Sequence, residues 1–170
     1  PSSDPTRETI FSIGKRPNVS AIEGSIELFM REMDATGTER AVIMGRKADS
    51  YGMVDNNEIL ELSRTYPGRF IPFAGANPNL PGMVEEIEHF AGQGFRGVGL
   101  DAGWLGRPLY YDDPLFDPIY AKCQELGLIA SLTSSFMLGP DLSYSDPDPI
   151  QRVAQKYPDL KIIVPHGCWP

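Results

Sequence analysis

Histidine and cysteine are scarce in this 170-residue sequence, with two of each. Cys123 and Cys168 give no disulfide framework, so a reducing, cytoplasmic compartment is expected. No apolar run approaches the roughly 18 residues that a membrane helix needs, and no membrane partner is expected. No charged segment followed by an apolar stretch opens the chain, so no secretory signal is predicted. Cations are outnumbered, 15 against 23 acids, for a net charge of −8. A nucleic-acid binder needs a cationic face, so no nucleic-acid partner is expected either. Also missing are Gly-x-Gly-x-x-Gly, a Walker-type loop, a Gly-x-Ser-x-Gly elbow and His-Glu-x-x-His, which argues against dinucleotide and nucleotide-triphosphate enzymes. The first residue is Pro1 rather than Met, which reads as a chain whose true start lies upstream.

What is present is an alternation of two hydrophobic periods. Ala41-Val42-Ile43-Met44, Phe70 to Ala74, Gly97 to Leu100, Leu128 to Leu132 and Ile162 to Val164 are short apolar runs. Such runs mark strands buried on both faces of a parallel sheet. Pro72 is a blemish that suggests a bulge or an early strand position. Between the runs lie helix-period segments: Ile26, Phe29, Met30 and Met33; Ile59, Leu60 and Leu62; Met83, Ile87, Phe90 and Ala91; Phe116, Ile119, Tyr120 and Cys123; Ile150, Val153, Ala154 and Tyr157. Asp113-Pro114 and Asp148-Pro149 place a capping acid before a first-turn proline. Gly37, Gly127, Pro67-Gly68 and Pro158-Asp159 stop helices. The result is an α/β chain, a parallel (β/α) series read as one domain over 1–170, with residues 1–20 a loop or arm.

The connections differ in length. Links from helix to strand are short, as in Tyr66 to Arg69. Links leaving strands are long: Arg46 to Asp55, Asp101 to Asp113, Ser134 to Asp148. In parallel α/β folds the strand C-termini share one face, and ligands bind there. The long loops therefore predict an elaborated pocket, with neutral loop drift as the plain alternative.

The residues ending the strands are Arg46, Asn77, Asp101, Thr133 and His166, all polar. His166 suits a metal ligand or a base near neutral pH, or is a buried histidine bonded to a backbone carbonyl. Asp101 suits substrate orientation or metal ligation, or caps a turn. Arg46 suits bidentate capture of a substrate carboxylate, or a surface ion pair. Asn77 suits a substrate hydrogen bond, or ordinary Asn-Pro turn chemistry. Trp104, Tyr110, Tyr111 and Trp169 are loop aromatics that line a pocket, pack the loops down or form a homo-oligomer contact. Cys168 beside His166 invites a nucleophile reading, against a small packed loop residue. Cys123 reads as core packing, and His89 as a surface histidine.

Several stretches carry a family resemblance. They are Met33 to Val42, Pro67-Gly68-Arg69-Phe70 with Ala74 to Pro78, and Gly94 to Val98. Asp112 to Leu128 and Tyr157 to Ile163 with His166-Gly167 continue it. In order and spacing the sequence resembles the amidohydrolase-related (amidohydrolase family 2) TIM-barrel family, which includes aminocarboxymuconate semialdehyde decarboxylase and resorcylate decarboxylases. The resemblance implies an eight-stranded barrel, of which this chain supplies strands two to six. It also implies a divalent metal, usually zinc, at the strand C-termini. The family's ligands are a His-x-His on strand one, histidines on strands five and six, and an Asp on strand eight. His166 stands at the strand-six position, whereas Thr133 occupies the strand-five position, and Thr is a poor replacement for imidazole.

The expected function is metal-assisted hydrolysis, decarboxylation or hydration of a small carboxylate-bearing substrate. His166 acts as ligand or base in that reading. Asp101 and Thr133 flank the reacting group, Arg46 and Asn77 contact substrate, and Trp104, Tyr110 and Trp169 shape the pocket. One alternative is the same barrel acting as a metal-free lyase or ligand-binding protein. The other is a complete flavodoxin-like binding module.

Overall fold

A computed structural model describes residues 18–49, 52–135 and 139–168. The chain divides into two compact units, residues 1–41 and 42–170.

The first unit holds α1 (Val19–Glu23) and α2 (Ile26–Ala35), so the last residues of the expected arm are helical. Gly24, with φ 61°, ends α1, and the Ser25 hydroxyl caps α2 by accepting from Leu28 N–H at 3.3 Å. The two helices are tied by Glu32, whose carboxylate accepts from Ser20 Oγ (2.5 Å) and Ser20 N–H (3.1 Å). Those bonds hold the Glu32 carboxyl below its usual range.

The second unit carries β1 (Ala41–Met44) from its second residue on, then a short hairpin of β2 (Arg46–Ala48) and β3 (Gly52–Val54). There follow α3 (Asn56–Thr65), β4 (Phe70–Ala76), α4 (Met83–Gly92), β5 (Gly97–Leu100), α5 (Asp117–Leu126), β6 (Ile129–Leu132), α6 (Pro147–Lys156) and β7 (Lys161–Ile163). The main sheet has the order β1-β4-β5-β6-β7, and the β4–β5, β5–β6 and β6–β7 ladders are parallel. Leaving the hairpin aside, spatial order follows chain order, which is how a (β/α) barrel winds. A flavodoxin-like sheet reverses direction after its first strand, so that alternative is overturned.

Burial grades across the sheet. Val98, Leu100, Ala130 and Leu132 are fully buried, and with Ile87, Phe116, Ile119 and Tyr120 they build the core under the helices. Both faces of β4, β5 and β6 are buried over most of their length, as their apolar runs predicted. On the outer strands of the described sheet, Val42, Met44 and Ile163 are exposed.

Pro72 lies just before the paired part of β4, which begins at Phe73 opposite Gly97, so its missing N–H is not needed in the ladder. Gly127, with φ 66°, closes α5 as predicted. Asp113 caps the short 3-10 turn that leads into α5, accepting from Leu115 N–H at 2.9 Å. The cap of α6 is one Asp-Pro pair earlier than predicted, at Asp146-Pro147, since two such pairs stand in tandem and the first is already helical.

Candidate active site

The strand ends place polar residues around a cavity of about 220 Å³ lined by Met44, Gly45, Arg46, Val54, Gly99, Asp101 and Thr133. It therefore unites three of the residues singled out in the sequence: Arg46, Asp101 and Thr133.

Arg46 begins the β2–β3 hairpin, directly after Gly45 leaves β1. Its Nε lies 3.3 Å from Asp101 Oδ2, and its guanidinium stacks over the Trp104 ring at 5.2 Å. Asp101 caps the C-terminal end of β5 and is nearly buried, its side chain 11% exposed against 34% for Arg46. A 3-10 turn, Ala102–Trp104, follows at once and brings the indole back over the guanidinium. Among the described residues, Asp101 alone pairs with this cation, through the Nε edge of the fork. The geometry of a guanidinium leaves a second edge, made by the two terminal nitrogens, for another planar anion.

Thr133 follows β6 and is buried. Its N–H donates to Leu100 O at 3.1 Å. The Tyr111 hydroxyl lies 2.8 Å from Leu100 O and 2.6 Å from Thr133 O, so its one proton bridges the ends of β5 and β6. Burial first, and then the Asp101 carboxylate, push the Tyr111 hydroxyl well above its usual range, which keeps it a donor. Tyr120 Oη in turn donates to Tyr111 O at 2.8 Å.

The other expected residues stand apart from the cavity lining. Asn77 is buried, donating to Asp49 Oδ2 at 3.2 Å and accepting from Asn79 N–H at 3.0 Å. Tyr110 stacks on Tyr144 at 4.6 Å and bonds the Ser143 hydroxyl at 2.8 Å, clasping the loops after β5 and β6 together. His166 is exposed in a turn after β7, with a left-handed backbone (φ 67°). Trp169 lies outside the described residues. Cys168 is half-buried against the core. Cys123 is fully buried, and burial pushes its thiol up to about 12. His89 is exposed.

Sequence reasoning missed the hairpin and three residues that fix it. Asp49 Oδ2 accepts from Gly106 N–H at 2.7 Å as well as from Asn77. Asn56 is fully buried against Gly75, and Lys47 Nζ reaches Glu86 Oε2 at 2.6 Å. Gly52-Met53-Val54 after Arg46-Lys47-Ala48 was a hairpin signal of three-residue strands, too short to stand out.

The chain matches the amidohydrolase family over residues 6–170, and it belongs to that family. Among solved structures it is similar to an uncharacterized TIM-barrel protein, Bb4693, from Bordetella bronchiseptica. There the identity is 32%, the TM-score 0.86, and the match covers 97% of this chain and 61% of that one. It is also similar to 4-oxalomesaconate hydratase from Rhodopseudomonas palustris, at 21% identity and TM-score 0.64, covering 91% and 52%. A third is 5-carboxyvanillate decarboxylase from Novosphingobium aromaticivorans, in complex with manganese and 4-hydroxy-3-methoxy-5-nitrobenzoic acid. Its identity is 23% and TM-score 0.60, covering 82% and 49%. The last two likenesses show the fold alone. The chain spans about three-fifths of the first relative and half of the others. No curated protein gave a match.

The family's divalent metal finds no fitting donor set among the described residues. No group of three or more His, Cys, Asp or Glu side chains comes together there. The carboxylate at the cavity, Asp101, is already paired with a cation, and the residue after β6 that shares the cavity, Thr133, carries a hydroxyl. Among those residues no helix is long and apolar enough to cross a membrane.

Proposed function

We propose that this chain supplies the carboxylate-binding half of an enzyme active site, acting on a small carboxylate-bearing compound by decarboxylation, hydration or hydrolysis. The supporting observation is Arg46: a guanidinium at a strand-end cavity, held along one edge by Asp101 and on one face by Trp104. In this reading the two terminal nitrogens grip a substrate carboxylate through parallel N–H···O bonds, which fix orientation as well as charge. Asp101 keeps the guanidinium plane aligned before substrate arrives, so little ordering remains for the bound state. The Thr133 hydroxyl bonds a polar substituent on the far side of the cavity. Membership of the amidohydrolase family supports an enzyme rather than a passive carrier. No step is routed through a metal, because the described donors do not fit one.

The metal-free reading has its own support in the Arg46–Asp101 pair and in Thr133. Metal analysis of the intact protein separates the two. Stoichiometric zinc or manganese lost on His166→Ala restores metal assistance, whereas a metal-free protein that still turns over a carboxylate establishes the metal-free lyase. Carboxylate capture itself is tested by titrating the intact protein with benzoate. Arg46→Met is expected to weaken binding about 10- to 100-fold, the worth of a charge-assisted hydrogen-bond pair. Equal affinity in the two proteins would sink the proposal.

A further inference from the structure

The carboxylate-binding reading depends on where Arg46 is held, and that is decided at the point where β1 parts from β4. The last backbone bond between them runs from Gly45 N–H to Phe73 O, 2.9 Å. Strand groups alternate sides, so Gly75 is the next β4 residue to present its N–H and C=O toward β1. By then the partner chain has turned away: Arg46 opens the hairpin and pairs with Val54.

Asn56 fills the vacated place. Gly75 N–H donates to Asn56 Oδ1 at 2.7 Å, and Asn56 Nδ2 donates back to Gly75 O at 3.2 Å. One primary amide thus serves both groups of a strand residue that pairs with β5 at Gly99 on one side and has lost its strand partner on the β1 side. The second Nδ2 proton goes to Glu86 Oε1 at 2.8 Å, and Glu86 Oε2 receives Lys47 Nζ at 2.6 Å. The reverse amide orientation would set donor against donor at Gly75 N, so this network admits one orientation. The network ends at Lys47, directly after Arg46, while the Asn56 amide packs against Gly45, directly before it. The fit is close. A Cβ on Gly45 would lie 2.0 Å from Asn56 Oδ1, and a Cβ on Gly75 would lie 2.5 Å from Arg46 N.

We propose that Asn56 is a positioning residue for the site: through Gly75, Glu86 and Lys47 it fixes the backbone from which Arg46 reaches Asp101 and the cavity. The claim rests on the proposed role of Arg46 but is tested separately from it. The probe is the Arg46 Nε–H resonance of the intact protein, assigned by its loss in Arg46→Lys. Pairing with Asp101 and stacking on the Trp104 ring are expected to slow that proton's exchange and shift its resonance. In Asn56→Asp the new carboxyl faces Glu86 from α4 and Lys47 from β2. Its protonated form has one donor and one acceptor and mimics the amide toward Gly75, while its ionised form cannot donate. The Arg46 signal of Asn56→Asp is therefore expected at its native position in mild acid and at the exposed-arginine position above neutrality, with no such change in the parent. Lys47→Met, which cuts the chain at its other end on an outer hairpin, is expected to broaden the same signal and weaken benzoate at least threefold. An unmoved Arg46 resonance in folded Asn56→Asp at every pH, or in Lys47→Met should Asn56→Asp not fold, overturns the proposal. Benzoate that fails to perturb Arg46 in the parent overturns carboxylate capture instead and leaves the positioning result to stand by itself.

Discussion

The two ends of the main sheet are built from the same strands and helices, yet they do different work. At the end where strands enter, links are short and close on backbone turns such as Gly127, whose N–H returns to Cys123 and Gln124 carbonyls. Arg96 stands there, exposed, beside the shallow groove formed by Phe95 and Leu128. At the end where strands leave, loops are long and tied by side chains: Tyr111 between β5 and β6, Tyr110 against Tyr144, Asn56 against Gly75. The lesson is that one end economises on chain, while the other uses long chain held by specific polar bonds. Only the second arrangement can aim a guanidinium into a cavity.

The sharpest way to break this contrast is to remove an arginine from each end. Arg46→Met should weaken benzoate about 10- to 100-fold and also lower the melting temperature, because it leaves the nearly buried Asp101 carboxylate unpaired, while Arg96→Met should change neither. Equal effects at both ends would erase the functional distinction. Next in size is Tyr111→Phe, which leaves the ends of β5 and β6 without their shared donor. A loss of about 1–3 kcal/mol in a denaturation experiment is expected. Gly127→Ala forces a side chain into a left-handed position at the opposite end and should cost about 1 kcal/mol. Tyr110→Ala, at an exposed loop clasp, should lower stability by about 0.5–1.5 kcal/mol and increase proteolysis between Asp101 and Asp113.

The smallest effect is one of pH. Burial raises the Asp117 carboxyl, but hydrogen bonds from Lys156 and Tyr157 outweigh it and hold the group below its usual range. A depressed carboxyl stabilises the fold above its unfolded value, and that contribution is lost as pH falls through the folded one. Melting temperature should therefore drop in acid slightly more for the parent than for Asp117→Asn. The difference is modest because Lys156 is 58% exposed and the pair well solvated.

Much of this was legible in the residues. The strands around Val98, Ala130 and Ile162 and the helices around Ile87, Tyr120 and Val153 follow from periodicity, because burial selects apolar side chains at the spacing of each element. The polar residues at strand ends could be named for the same reason, since an apolar run stops where the sheet stops. Their partners could not. Asp101 lies 55 residues after Arg46 in the chain, and no local pattern tells that the two meet. Asn56 stands in the first turn of a helix, and nothing in its neighbours signals an amide standing in for a strand. His166 and Asn77 follow from the same strand-end logic, yet neither is among the described residues that line the cavity shared by Arg46, Asp101 and Thr133.

The sequence by itself thus determined the alternation of elements, the parallel arrangement and the family, because these rest on local periodicity and on motifs kept in order. The tertiary structure alone decided which strand-end residues face one another, since pairing across crossovers depends on how far each loop travels before it returns.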